Sequence, residues 1–307
     1  CLENVLEHFD VAVILLKGGG DAAGFAAEDI TITPVDDTAI MTVRYRGKGG
    51  KRPMVVTGHM DVVAANPKDW TRDPFTLTEH DNKLYGLGTA DMKGFFPAVI
   101  NAAQAHVKTP LRAPLIILAT CDEESSMAGA KALVAAQKPK GRFAVIGEPT
   151  SLKPIRLHKG VMMERVKIIG NSGHSSDPSL GNNALEAMTV VMSDLMDFRR
   201  ELQQKHHNAA FAIPYPTLNL GCIHGGDNPN RICGQCELQF DLRPLPNMDM
   251  ADIRSQISKR LGKIAEKMAI DIIYEPIFEG TLPAETPADS PLVKMVEQLT
   301  QSQAGSV

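Results

Sequence analysis

Pro53-Met54-Val55-Val56-Thr57-Gly58-His59-Met60-Asp61 decides the fold, because an apolar run without alternation ends at once in a histidine and an acid. Such a run suits a strand covered on both faces, as in a mostly parallel sheet. Two more runs have the same form. Leu115-Ile116-Ile117-Leu118-Ala119 leads to Asp122-Glu123-Glu124, and Phe143-Ala144-Val145-Ile146 leads to Gly147-Glu148-Pro149. Helical stretches lie between them, Phe95 to Val107 and Ala128 to Gln137, with Pro97 tolerable because it falls in the first turn. This alternation predicts an α/β layer fold, a catalytic domain with a mostly parallel sheet and flanking helices.

Beyond about Gly160 the pattern changes. Val161 to Ile169 reads as a strand, followed by a long helix with Leu185, Met188, Met192, Leu195 and Leu202 on one stripe. Asn183, with Glu186 three residues on, resembles a capping box at its start. Strands near Thr217–Leu220 and Ile232–Leu242, a helix from about Met250 to Met268 and a strand near Ile270–Tyr274 complete a small α+β domain inserted into the first. The expected division is 1–160 for the catalytic part, 161–274 for the insertion and 275–307 for the start of the return.

The bulk properties fit this plan. A chain of 307 residues suits two domains, and 43% hydrophobic residues can bury a sizeable core. Net charge is -4 with both signs spread along the chain; there is no basic stripe, so nucleic acid is not an expected partner. Val11-Ala12-Val13-Ile14-Leu15-Leu16 is too short to span a bilayer and has no basic leader. No membrane partner and a soluble, cytoplasmic protein are expected. Residue 1 is Cys, which reads as a fragment or a processed product. Among five cysteines, Cys233-Gly-Gln-Cys236 is a lone CxxC; on a regular strand its two thiols would point to opposite faces, so a structural role is expected.

Each apolar run ends in a potential metal ligand: His59, Glu123 with Glu124, and Glu148. In open α/β sheets ligands gather at the carboxyl ends of strands, so the three ends can converge on one crevice. Between them lies Gly88-Thr89-Ala90-Asp91-Met92-Lys93-Gly94, whose glycines let the backbone bring Asp91 close to its neighbours. One imidazole with several carboxylates is a nitrogen/oxygen set that suits zinc. A carboxylate such as Asp91 can bridge two cations. Of the adjacent Glu123 and Glu124, one can bind metal while the other serves as a base. Asp61 can accept the second imidazole N–H of His59. Taken singly, each motif is more often a turn or a cap; four at successive strand or loop ends are much harder to dismiss.

These motifs resemble, in order, those of a dinuclear zinc amidohydrolase and metallopeptidase family that includes acetylornithine deacetylase, succinyl-diaminopimelate desuccinylase and carboxypeptidase G. The residues are Gly58-His59-Met60-Asp61, Gly86 to Gly94, Asp122-Glu123-Glu124 and Gly147-Glu148-Pro149-Thr150. Trp70 to Phe75, Gly173-His174-Ser175-Ser176-Asp177-Pro178 and Asn230-Arg231-Ile232-Cys233 are most similar to the deacetylase branch. The resemblance implies a zinc-binding domain with an inserted lid domain that forms a homodimer. It implies that His59, Asp91 and Glu148 hold one metal, zinc or cobalt, and that Asp91 and Glu124 hold the second. Glu123 would be the general base and Asp61 would orient His59. His174 would reach the partner subunit's active site, and Asn230 and Arg243 would hold the substrate. The activity implied is removal of the acetyl group from N2-acetylornithine, or else hydrolysis of another N-acyl amino acid or dipeptide. The family's chain runs on to a final His ligand of the second metal, which is not found here, so the second site is expected to be incomplete. A metal-binding dimerisation fragment without activity is the reading of a different class. His174 bonded within its own loop, and Arg243 in a surface ion pair, are the local alternatives.

Overall fold

The computed structural model describes Phe25, residues 27–106 and residues 111–307; the apolar run Val11–Leu16 lies outside the described residues. The chain divides into two compact units, Cys1–Ser151 and Leu152–Val307.

In the first unit the strands are β1 (Ile30–Val35), β2 (Thr38–Tyr45), β3 (Met54–His59), β4 (Thr78–His80), β5 (Lys83–Tyr85), β6 (Leu115–Thr120) and β7 (Phe143–Ile146). The helices are α1 (Phe95–Ala105) and α2 (Ala128–Ala136). The main sheet has the order β1-β2-β6-β3-β7. The three apolar runs are its parallel part, with β3 between β6 and β7. The β1–β2 hairpin, unread in the sequence, adds to this part antiparallel through β2 and β6. Alternation along β6 explains its uniform apolarity. Ile117 and Ala119 face a core with Phe96, Val99 and Ile100 of α1, whereas Ile116 and Leu118 face the opposite core, with Ala132 and Leu133 of α2 against it.

The second unit contains β8 (Ile155–His158), β9 (Met162–Ile169), α3 (Ala184–Lys205), β10 (Thr217–Gly225), β11 (Gln235–Arg243), α4 (Met250–Met268), β12 (Asp271–Pro276), β13 (Ala284–Glu285), α5 (Pro291–Thr300) and β14 (Gly305–Ser306). Strands β10-β11-β9-β12 form one antiparallel sheet, a split β-α-β arrangement in which α3 and α4 pack on the sheet's core. Cys236, Leu238, Phe240 and Leu242 alternate into that core from β11. Helix α4 buries Met250, Ile253, Ile257, Leu261 and Ile264, a stripe at helical spacing.

Three details differ from the sequence reading. The buried stripe of α3 runs through Ala184, Ala187, Met188, Val191, Leu195, Phe198 and Leu202, while Leu185 is 40% exposed. One residue along a helix turns the side chain by about 100°, and the small alanines, not the leucine, face inward. The α3 cap is real but rearranged: Asn183 Oδ1 accepts the Leu185 N–H at 3.0 Å and Asn183 Nδ2 donates to Glu186 Oε1 at 3.2 Å. Strand β11 begins at Gln235, so Cys233 precedes it and strand alternation does not apply. Both thiols are free and both belong to one core cluster.

Candidate metal centre

The carboxyl end of β3 delivers His59, which is 2% exposed. Its Nδ1 lies 2.9 Å from the backbone carbonyl of Asp61, whereas the Asp61 carboxylate is 3.6 Å away. The main chain rather than the side chain therefore accepts the Nδ1–H. This tautomer leaves Nε2 to face the carboxylates. Nε2 is 3.1 Å from Asp91 Oδ1, 3.8 Å from Glu123 Oε2 and 3.9 Å from Glu148 Oε1.

Backbone geometry brings these acids in. Gly88 has φ +83, a conformation strained for any residue with a side chain, and a Cβ there would lie 2.9 Å from Val62 Cγ1, so the loop before Asp91 favours glycine at this position. Met92, fully buried, anchors the loop beside Asp91. Asp122 takes the left-handed conformation, φ 57, and turns the chain after β6 so that Glu123 and Glu124 follow the strand end directly. The Glu124 N–H donates to Asp61 Oδ2 at 2.9 Å. Glu148 follows Gly147, whose N–H donates to the Thr57 carbonyl at 3.1 Å.

Two groups of three donors result, each with its ligand atoms within 4.8 Å of one another: His59, Asp91 and Glu148, and His59, Glu123 and Glu124. The first is the set that the family resemblance implies for one metal. Among the described residues no group of three contains both Asp91 and Glu124.

The electrostatics call for a cation. Burial raises the Glu123 carboxyl; His59 opposes this, and Glu124, Asp61 and Asp91 add to it. Glu148 is raised in the same way, by burial first and then by Glu123, Asp91 and Glu124 against the pull of His59. Burial would lower His59, but the Asp61 carbonyl and the charges of Asp61, Glu123 and Glu148 outweigh it, and its pKa is raised. Asp61 Oδ1 is buried without a hydrogen-bond partner. Carboxylates crowded around one imidazole, with Glu123 and Glu148 raised above the usual carboxylate range, form a donor set that suits a divalent cation. Lys93, unassigned from the sequence, is pushed down by burial against the opposing charge of Asp61. Thr38, also unassigned, reaches Asp122 Oδ2 at 2.9 Å from 84 residues away, a separation that no local motif reports.

The remaining candidates lie in the second unit. His174 is exposed, with Nδ1 2.7 Å from Ser176 Oγ, the bond within its own loop that the sequence allowed. Its loop is joined to the loop of Asn230: the Ser175 N–H donates to the Asn230 carbonyl at 3.1 Å, and His174 bridges to Arg231. Arg243 closes β11 and donates from Nε to Asp241 Oδ2 at 2.9 Å.

Comparison with known proteins agrees with this architecture. The family model described as "Peptidase dimerisation domain" matches residues 156–269. Acetylornithine deacetylase of Klebsiella pneumoniae (strain 342) is 44% identical over 99% of this chain and 79% of its own length. Acetylornithine deacetylase of Pectobacterium atrosepticum is 50% identical over 82% of this chain and 66% of its own length. The chain therefore spans about two thirds to four fifths of these relatives. In fold, it is similar to aminopeptidase PepT of Bacillus cereus (TM-score 0.75, 16% identity, 96% of this chain and 78% of that one). It is likewise similar to an M20 family metallo-carboxypeptidase of Sulfolobus solfataricus (TM-score 0.70, 18% identity, 97% and 80%). Among the described residues no helix is long and apolar enough to cross a membrane.

Proposed function

The chain belongs to the acetylornithine deacetylase family of metal-dependent hydrolases, and from that premise we propose that the protein hydrolyses the acetyl amide of N2-acetyl-L-ornithine to L-ornithine and acetate. The observation that carries the reading is the cluster of His59, Asp91 and Glu148 with Glu123 beside it, His59 Nε2 lying within 3.9 Å of all three acids. His59, Asp91 and Glu148 hold the cation, zinc or cobalt, and Glu124 with Asp91 serves a second one. A divalent cation bound there supplies polarisation of the carbonyl and a lowered pKa for water.

Glu123 supplies the proton chemistry. Its carboxylate takes a proton from water as the water oxygen bonds to the acetyl carbon. The same proton then passes to the amide nitrogen as the C–N bond breaks. A positioned carboxylate that takes the proton in the first step and returns it in the second is worth about 10²–10⁴ in rate. Asp61 acts on both sides of this centre, through its carbonyl on His59 and through Oδ2 on the Glu124 N–H. In the second unit, read as a lid over 161–274 that pairs two subunits, His174 acts on the partner's substrate. Asn230 and Arg243 bind the substrate's polar ends, and the Arg243 fork suits its carboxylate. We place the reaction in the cytoplasm, as a step of arginine biosynthesis.

A substrate panel tests the reading. Metal-loaded protein should release ornithine from N2-acetyl-L-ornithine faster than it cleaves other N-acetyl amino acids or dipeptides. Preference for a dipeptide would transfer the assignment to the peptidase side of the family, and binding of metal without turnover of any amide would leave a metal-binding module.

A further inference from the structure

The turn that presents Glu123 is clamped from two sides, and one clamp comes from the β1–β2 hairpin. Asp122, immediately before Glu123, sits at φ 57, a region that residues with a side chain rarely adopt. Thr38 Oγ1 lies 2.9 Å from Asp122 Oδ2, 2.9 Å from the Val35 carbonyl and 3.0 Å from Cys121 Sγ. A hydroxyl has one proton to give. The Asp122 carboxylate is the strongest acceptor of the three, so the Thr38 proton goes chiefly to it, with the Val35 carbonyl and Cys121 Sγ as further acceptors within reach. On the far side, the Glu124 N–H is held by Asp61 Oδ2 at 2.9 Å. The Met127 N–H closes the turn on the Asp122 carbonyl at 2.5 Å. Glu123 is the residue between the two clamps, and among the described residues no hydrogen bond holds its own carboxylate, which faces His59 Nε2 at 3.8 Å. The aim of that carboxylate is therefore set by the backbone of the turn.

We propose that Thr38 is a positioning residue for Glu123, acting through Asp122 to hold the left-handed turn in place. The inference rests on the reading of Glu123 as the base. A displacement of about 1 Å in a reacting group can cost about 100-fold in rate. Thr38→Val keeps the shape and removes the proton donor. In the intact protein it should lower kcat on N2-acetyl-L-ornithine about 10- to 100-fold while KM and bound metal stay at their wild-type values, and Thr38→Ser should restore kcat. In metal-free protein, Thr38→Val should also speed hydrogen exchange at the Met127 amide. Wild-type kcat in Thr38→Val, failure of Thr38→Ser to restore it, or unchanged exchange would each overturn the proposal. If the wild type does not turn over this substrate, the substrate assignment fails, and the exchange comparison alone decides the clamp.

Discussion

Asp91 Oδ1 lies 3.1 Å from His59 Nε2, on the side of the ring opposite the Asp61 carbonyl that engages Nδ1. His59 thus has one nitrogen to offer, and both candidate donor groups draw on it. Two cations cannot both take their imidazole from it. The 307-residue chain is therefore predicted to hold one zinc tightly and a second weakly. Elemental analysis after exhaustive dialysis should find close to one equivalent, and His59→Ala should lose it. Two equally tight equivalents would show that a donor outside these groups completes the second site.

Glu164 is fully buried in the row of β9 that carries Met162, Val166 and Ile168, and Arg254 of α4 meets its Oε1 at 2.9 Å. Removing one partner of such a pair strands a charge in the core. Arg254→Met should destabilise the protein by about 3 kcal/mol in urea unfolding. Arg200→Met, which removes the exposed partner of Asp197 on α3, should change it by no more than about 0.5 kcal/mol. Equal effects of the two substitutions would mean that the Glu164 pair contributes nothing special.

The parts legible in the sequence were those with local signatures. Uninterrupted apolar runs mark β3, β6 and β7, and the ligands follow because they sit at the strand ends. Only the inner strands β3 and β6 are covered on both faces; β7 is an edge strand whose Ala144 and Ile146 are exposed, against the expectation from its apolar run. Strand β1 escaped notice because its side chains are mostly exposed and Pro34 interrupts it. On α3 the expected stripe holds at Met188, Met192, Leu195 and Leu202 and fails only at Leu185, because helical spacing alone gives no signal that the small Ala184 and Ala187 take the inward positions. The Asp61 carbonyl was missed because a motif displays side chains and hides the main chain. Thr38 was missed because its partner is Asp122, far away in the chain.

If His174 serves the partner subunit's site, two different defects should complement each other. Glu123→Gln homodimers lack the base and His174→Ala homodimers lack the donor. Losing one oxyanion donor costs about 2.7–4 kcal/mol, so each parent should be nearly inactive. In mixed dimers one composite site is complete, and activity should return to a fraction of wild type. Mass-verified mixed dimers without recovery would leave His174 as the local partner of Ser176.

The central claim, that Glu123 moves the proton while its neighbours hold the metal, is tested most directly by kcat of Glu123→Gln on N2-acetyl-L-ornithine with bound metal quantified in the same sample. The amide keeps the size of the carboxylate, which lies 3.8 Å from His59 Nε2, and removes its basicity. The predicted result is a fall of about 10²–10⁴ in kcat with metal content unchanged, whereas Glu124→Gln weakens metal binding. Glu123→Gln that retains wild-type kcat, or loses its metal while Glu124→Gln keeps it, would contradict the account.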